Sequence, residues 1–195
     1  EGDIFLNGDA ARWKKFANSL RLIMALRLSK ADPATGKTEF LDAKSDGVIM
    51  TDAESFRYQH LAETANESAW YARYATRFDF AISKPFLDYL KSVNDPRIPA
   101  MADKPTDGNA NYVGMPFGLA STTGIPNNSI SYIGSGLRTQ DAPEVIISAP
   151  HVLFTLAEGE ALGWNVAGTP DHVAAAQYYN EGIRESMKQF GTYDA

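Results

Sequence analysis

The sequence predicts a mainly α-helical protein: a tetratricopeptide-like array of α–α hairpins that carries a long loop-rich segment and a few short strands. Apolar residues recur at three- and four-residue steps near both ends of the 195-residue chain. Between them, from Asp95 to Pro150, prolines and glycines are interleaved without a period. The 44% hydrophobic content supplies a core and excludes intrinsic disorder. No apolar run approaches the roughly 18 residues of a membrane span. A net charge of −6 argues against a general nucleic-acid binder. The lack of cysteine excludes disulfide scaffolds, thiol catalysis, zinc knuckles and iron–sulfur centres. Residues 1–5 carry neither a targeting segment nor an initiator Met, so the chain reads as processed or cut from something longer.

The first helix is expected over 9–30. Asp9 is its N-cap, and Trp13, Phe16, Ala17, Leu20, Ile23, Met24 and Leu28 share one face. Leu22, Ala25 and Leu26 widen that face, as in a helix contacted from two sides. Arg12, Lys14, Lys15, Arg21, Arg27 and Lys30 make it basic, and these cations are expected to pair with acidic neighbours in a helix stack. Asp32-Pro33 stops the helix. A short second helix is expected from Thr38 to Asp46, closed by Gly47. Val48–Met50 and Phe56–His60 read as extended. Ser83 is placed to cap a short helix with Phe86, Leu87, Tyr89 and Leu90, ended by Asn94-Asp95-Pro96.

The stretch that follows is too long for an ordinary connection. Tyr112, Met115, Phe117, Ile125, Ile130, Tyr132 and Ile133 are expected to anchor it as an ordered loop layer. A helical hairpin is expected over 148–191. Ser148 caps its first helix, Pro150 sits in the first turn, and Val152, Leu153, Leu156, Ala157 and Ala161 form the buried stripe up to Gly163. Thr169-Pro170 should start the second helix, with Val173, Ala176, Tyr179, Ile183, Met187 and Phe190 buried and Ala175 and Gly182 forming a low ridge.

Catalytic signals are sparse. His60, His151 and His172 fall in no metal-binding frame, and no phosphate loop, dinucleotide fingerprint or nucleophile elbow is present. Glu158 and Glu160 point to different faces of a helix and cannot flank one glycosidic bond. Asp95, Asp103, Asp107 and Asn109 fail the spacing of a calcium loop. No metal or cofactor is therefore expected. Sugar recognition needs flat aromatic faces for C–H surfaces and polar partners for hydroxyls. Trp70, Tyr71 and Tyr74 with Arg73 offer one such mixture, and Tyr112 with Asn109 a second.

Several motifs together resemble the SusD/RagB-like family. They are Asn7-Gly8-Asp9 with Trp13 to Leu22 and Ala25 to Leu28, then Leu87 to Leu90 with Asn94-Asp95-Pro96-Arg97. Tyr112-Val113-Gly114 and Pro116-Phe117-Gly118 follow, then Phe154 with Leu156-Ala157-Glu158, Gly163-Trp164, and Tyr179 to Gly191. His151, where a Glu is usual, and Gly159-Glu160, in place of small helix formers, depart from the pattern.

The resemblance implies one partial domain over 1–195, with 66–147 facing the ligand. It further implies a cell-surface outer-membrane lipoprotein, anchored through a lipid-bearing residue outside this chain. Such a protein captures oligosaccharide or polysaccharide without catalysis and delivers it to a SusC-like TonB-dependent transporter. The rival readings are a helical-repeat scaffold for protein partners and an α-helical glycoside hydrolase.

Overall fold

The computed structural model describes residues 2–193. It is mainly helical, as expected, with seven helices and one two-stranded sheet among the described residues. The chain forms two compact units: residues 2–58 with 145–189, and residues 59–144 with 190–193.

The first unit is built from two helical pairs. Helix α1 (Ala10–Arg27) begins at Asp9, whose carboxylate accepts the backbone N–H groups of Ala11 and Arg12. Helix α2 spans Pro33–Asp46, starting a turn earlier than the sequence suggested. Asp32 caps it through the Thr35 N–H, and Pro33 occupies the first turn, where its missing N–H costs nothing. Asp32-Pro33, expected as the stop of α1, instead starts α2, because α1 already ends at Arg27 with Leu28 as its C-cap.

Among the described residues, the expected pairing with acidic neighbours holds for Lys14, Lys15 and Arg21 but not for Arg12, Arg27 or Lys30. Arg21 reaches Glu39 at 2.6 Å and Asp42 at 3.2 Å, and Lys14 reaches Asp46 at 3.7 Å. Lys15 pairs with Glu54.

The expected apolar face of α1 is rotated. Leu22 and Ala25 are buried, whereas Leu20 is 41% and Met24 61% exposed. Ser19 is fully buried instead: its hydroxyl donates to the Lys15 carbonyl and accepts the Ile49 N–H. Those bonds remove the cost of burying it. Val48 and Ile49 are buried but form no strand. Strand β1 is only Phe56–Tyr58, and it pairs with β2 (Glu144–Ile147), which the sequence did not reveal.

The second pair follows. Helix α6 (Ala149–Ala161) is capped by Ser148 and buries Val152, Leu153 and Leu156, as expected, while Ala161 is exposed. Helix α7 is His172–Gln189, capped by Asp171 rather than by Thr169. Its expected buried stripe is also rotated, leaving Val173 71% and Tyr179 54% exposed. The buried residues are Gly182, against the Phe154 ring, and Glu185, which accepts the Asp52 N–H and pairs with Lys188.

The second unit holds three short helices, α3 (Ala69–Tyr74), α4 (Lys84–Ser92) and α5 (Ile98–Met101). Leu87, Leu90 and Ile98 form its small core. Asp95 locks the turn between α4 and α5 by accepting the Arg97 N–H and pairing with the Arg97 guanidinium, which holds its carboxyl below the usual carboxylate range.

Single bridges, not ladders, order the loop layer. Ser83 bridges Met115, Ala81 bridges Tyr132, and Ala102 bridges Ile133. Gly114 permits the first of these, because a Cβ there would stand 2.8 Å from the Lys84 nitrogen.

Candidate functional site

Within the second unit, the segment entering α4 and the 115–130 loop enclose a cleft of about 430 Å³. Reciprocal backbone bonds set its width: Lys84 N–H to the Met115 carbonyl and Met115 N–H to the Ile82 carbonyl, both 2.7 Å. Phe78, Phe80 and Phe117 supply aromatic surface, and Asp79, Thr122 and Asn127 supply polar groups. Asp79 is held by Arg77 at 2.9 Å. The Phe117 side chain is 85% exposed, so it is not the core anchor the sequence suggested. It sits between Pro116 and Gly118 in a stretch without helix or strand.

The aromatic residues of α3 meet this cleft through Phe80. Trp70 approaches Phe80 edge-on at 5.6 Å between centroids, and the Arg73 guanidinium lies 5.4 Å from the centre of the same ring. Tyr71, also on α3, is exposed.

Tyr74, expected on the binding surface, is only 7% exposed. Its hydroxyl donates to the Phe80 carbonyl, and the Arg138 guanidinium sits 4.6 Å over its ring. Phe78 and Tyr132 pack edge-to-face against it, and burial pushes its phenol pKa up. Tyr74 thus supports Phe78 and Phe80 rather than presenting a face of its own. Arg138 is fixed in turn by Asp103 at 2.7 Å and by the Ile133 carbonyl at 2.9 Å.

Asn109 and Tyr112 line no part of this cleft. Asn109 is exposed in a turn, bonding the backbone N–H of Asn111. Tyr112 packs on the α4–α5 core with the Lys104 ammonium 5.6 Å over its ring. Phe78 and Phe80 are not among the site residues expected from the sequence. Their shared cleft with Phe117 depends on backbone bonds between distant segments.

The carboxylates weighed for calcium are spent separately. Asp95 holds Arg97, Asp103 holds Arg138 and Ser135, and Asp107 accepts the Asn109 N–H. Among the described residues, no three His, Asp or Glu side chains are grouped to hold a metal ion.

Across residues 1–195 the sequence matches the SusD-like family profile described as "Starch-binding associating with outer membrane". The chain belongs to the SusD-like family.

Solved structures agree with the SusD-like assignment. A chitin-binding SusD homolog from Flavobacterium johnsoniae is 28% identical, with a TM-score of 0.82 over 98% of this chain and 38% of its own. A SusD homolog from Bacteroides vulgatus is 29% identical, with a TM-score of 0.82 over 99% of this chain and 38% of its own. One from Bacteroides ovatus is 30% identical, with a TM-score of 0.81 over 99% and 39%. The SusD-like chain thus spans about 40% of the length of these relatives. No protein of curated function matches the sequence.

Proposed function

We propose that this SusD-like chain is part of a cell-surface protein that captures oligosaccharide or polysaccharide at the outer membrane and hands it to a TonB-dependent transporter, without cleaving it. The observation that carries the reading is the Phe78–Phe80–Phe117 cleft with its Asp79, Thr122 and Asn127 rim, adjoining Trp70 and Arg73. Aromatic rings cover the apolar faces of sugar rings, and the amide, hydroxyl and carboxylate groups bond their hydroxyls. The contact set is therefore Trp70, Tyr71, Arg73, Phe78, Asp79, Phe80, Phe117, Thr122 and Asn127, with Tyr74 as support. Asn109 and Tyr112, which do not line the cleft, mark a second surface within 66–147.

Binding without hydrolysis is favoured because Asp79 is the one carboxylate lining the cleft and is already paired with Arg77. Glycoside hydrolysis needs two carboxyl groups flanking one bond. The family description and the chitin-binding homolog favour a glycan over another nutrient. Outer-membrane association follows the family description as well, and a lipid anchor supplied by the remainder of the protein completes the localisation.

Affinity electrophoresis against a polysaccharide panel, starch and chitin included, tests this reading. Retarded migration with at least one neutral glycan, and intact oligosaccharide after incubation, are the expected results. Product formation would convert the protein into a hydrolase. Indifference to every glycan, with retained transporter binding, would leave the helical-repeat scaffold.

A further inference from the structure

The cations of α1 divide into two groups. Lys14, Lys15 and Arg21 each have a carboxylate within 4.0 Å, and Arg12 reaches the Ala53 carbonyl at 3.5 Å. Arg27 and Lys30, at the end of the helix, have no carboxylate partner among the described residues. Both line a groove of about 440 Å³ in the first unit, between the end of α1 and the outer face of α6. His151, Phe154 and Glu158 of α6 line its other wall, and Leu26 adds to the apolar floor.

Arg27 and Lys30 are both exposed, and they are the two cations in the lining of this groove. The first turn of α6 adds little to them, because its donors are spent. Ala149 N–H goes to Ser55 Oγ at 2.9 Å, and His151 N–H goes to Ser148 Oγ at 3.4 Å. The Thr155 hydroxyl is likewise committed to the His151 carbonyl at 2.8 Å. The donors left in the lining are the Arg27 and Lys30 side chains, the Ser29 hydroxyl and the His151 imidazole.

Glu158 sets the sign and size of the field. The two cations Arg27 and Lys30 against the one carboxylate of Glu158 leave a single net positive charge among these three side chains. A monoanion satisfies that balance, whereas a dianion would face Glu158 uncompensated. Phe154, 37% exposed, and Leu26 offer apolar surface beside the charges.

We infer that this groove binds a monoanionic carboxylate carrying a short apolar arm, with Arg27 as the bidentate partner of the carboxylate and Phe154 under the arm. The groove shares no lining residue with the glycan cleft, and the inference does not depend on that cleft.

Sodium hexanoate, hexanamide and inorganic phosphate, titrated into the ¹⁵N-labelled chain and followed by amide chemical shifts, test the inference. Hexanoate is expected to shift the His151 and Lys30 amides saturably in the millimolar range, with hexanamide about tenfold weaker. The double variant Arg27→Ala/Lys30→Ala should weaken hexanoate about tenfold while leaving shifts elsewhere unchanged. Glu158→Gln should tighten hexanoate and admit phosphate. Equal affinity for hexanoate and hexanamide, an unaffected double variant, phosphate bound as tightly as hexanoate by the unmodified chain, or no saturable shift at all would each overturn it.

Discussion

Gly159 of α6 lies directly against the ring of Phe40 of α2. A Cβ at position 159 would stand 2.7 Å from Phe40 Cε1 and nearer still to Cζ. Phe40 is fully buried and cannot yield, being edge-on to Trp164 at 5.6 Å. A glycine inside a helix ordinarily costs about 1 kcal/mol relative to alanine. Here it lets two helices close around an aromatic core residue, so a departure from the family pattern has a packing reason.

Gly159→Ala should therefore destabilise the chain, by about 1–3 kcal/mol from overpacking, despite its better helix propensity. The urea midpoint is the measurement. A midpoint at or above that of the unmodified chain would show that Phe40 has room to move.

Glu160, the next residue, accepts from Lys44 at 2.5 Å and from Asn165 at 2.9 Å and is 3% exposed. Glu160→Ala should cost about 2–4 kcal/mol, somewhat less than a fully buried pair because the Lys44 side chain is 30% exposed. Replacing both, as Lys44→Met/Glu160→Leu, should recover most of that loss in chemical denaturation. A double variant as unstable as the single one would contradict the ion-pair account.

The Tyr132 hydroxyl is buried without a hydrogen-bond partner among the described residues, and burial raises its pKa. Tyr132→Phe removes that unsatisfied group while keeping the ring contacts with Tyr74 and Phe78. The thermal midpoint should rise, by the equivalent of about 1 kcal/mol. Glycan retardation should stay the same.

Asp3 accepts the N–H groups of Phe5 at 3.0 Å, Leu6 at 3.1 Å and Gly8 at 2.7 Å, and the Trp13 indole at 2.7 Å. The indole bond, then the backbone bonds, hold its carboxyl far below the usual carboxylate range. A depressed folded pKa means stability that is present above the unfolded value of about 4 and lost as the pH falls towards the folded value. Thermal melts should show Asp3→Asn less stable than the unmodified chain near neutrality and converging with it in acid. A difference independent of pH would remove the carboxylate from this role.

For the glycan cleft, Phe117→Ala and Phe80→Ala should each weaken polysaccharide retardation about tenfold. Phe117→Ala should leave the melting curve unchanged, since that side chain is 85% exposed. Tyr112→Ala should do the reverse: lower stability, because the ring packs on Leu87, Leu90 and Ile98, with retardation preserved. Loss of binding in Tyr112→Ala alone would move the site to the second surface.

Local chemistry made much of the fold legible. Asp9, Ser148 and Gly163 bound helices through atoms only a few residues away, so the start of α1 and both limits of α6 could be read directly. Asp32-Pro33 reads as the stop of α1, but α1 ends earlier, at Arg27, and Asp32-Pro33 starts α2. The buried faces were harder. Leu20, Met24, Val173 and Tyr179 fit an apolar stripe and are exposed, while Ser19 and Glu185 fit a polar face and are buried. Periodicity scores hydrophobicity along one helix. It does not know that Ile49 and Asp52 bring the N–H groups that satisfy Ser19 and Glu185.

The candidate site divides the same way. That Trp70, Arg73 and the aromatics up to Phe80 would cluster follows from their closeness along the chain. Their meeting with Phe117 and Asn127 does not, because it rests on the Lys84–Met115 and Ile82–Ser131 backbone bonds. Helix ends, the helical class and the family were thus written in the residues themselves, through caps, spacing and motifs whose partners are near neighbours. The buried faces and the cleft were settled by tertiary packing, because the groups that satisfy a buried polar atom or close a cleft come from segments that no local pattern connects.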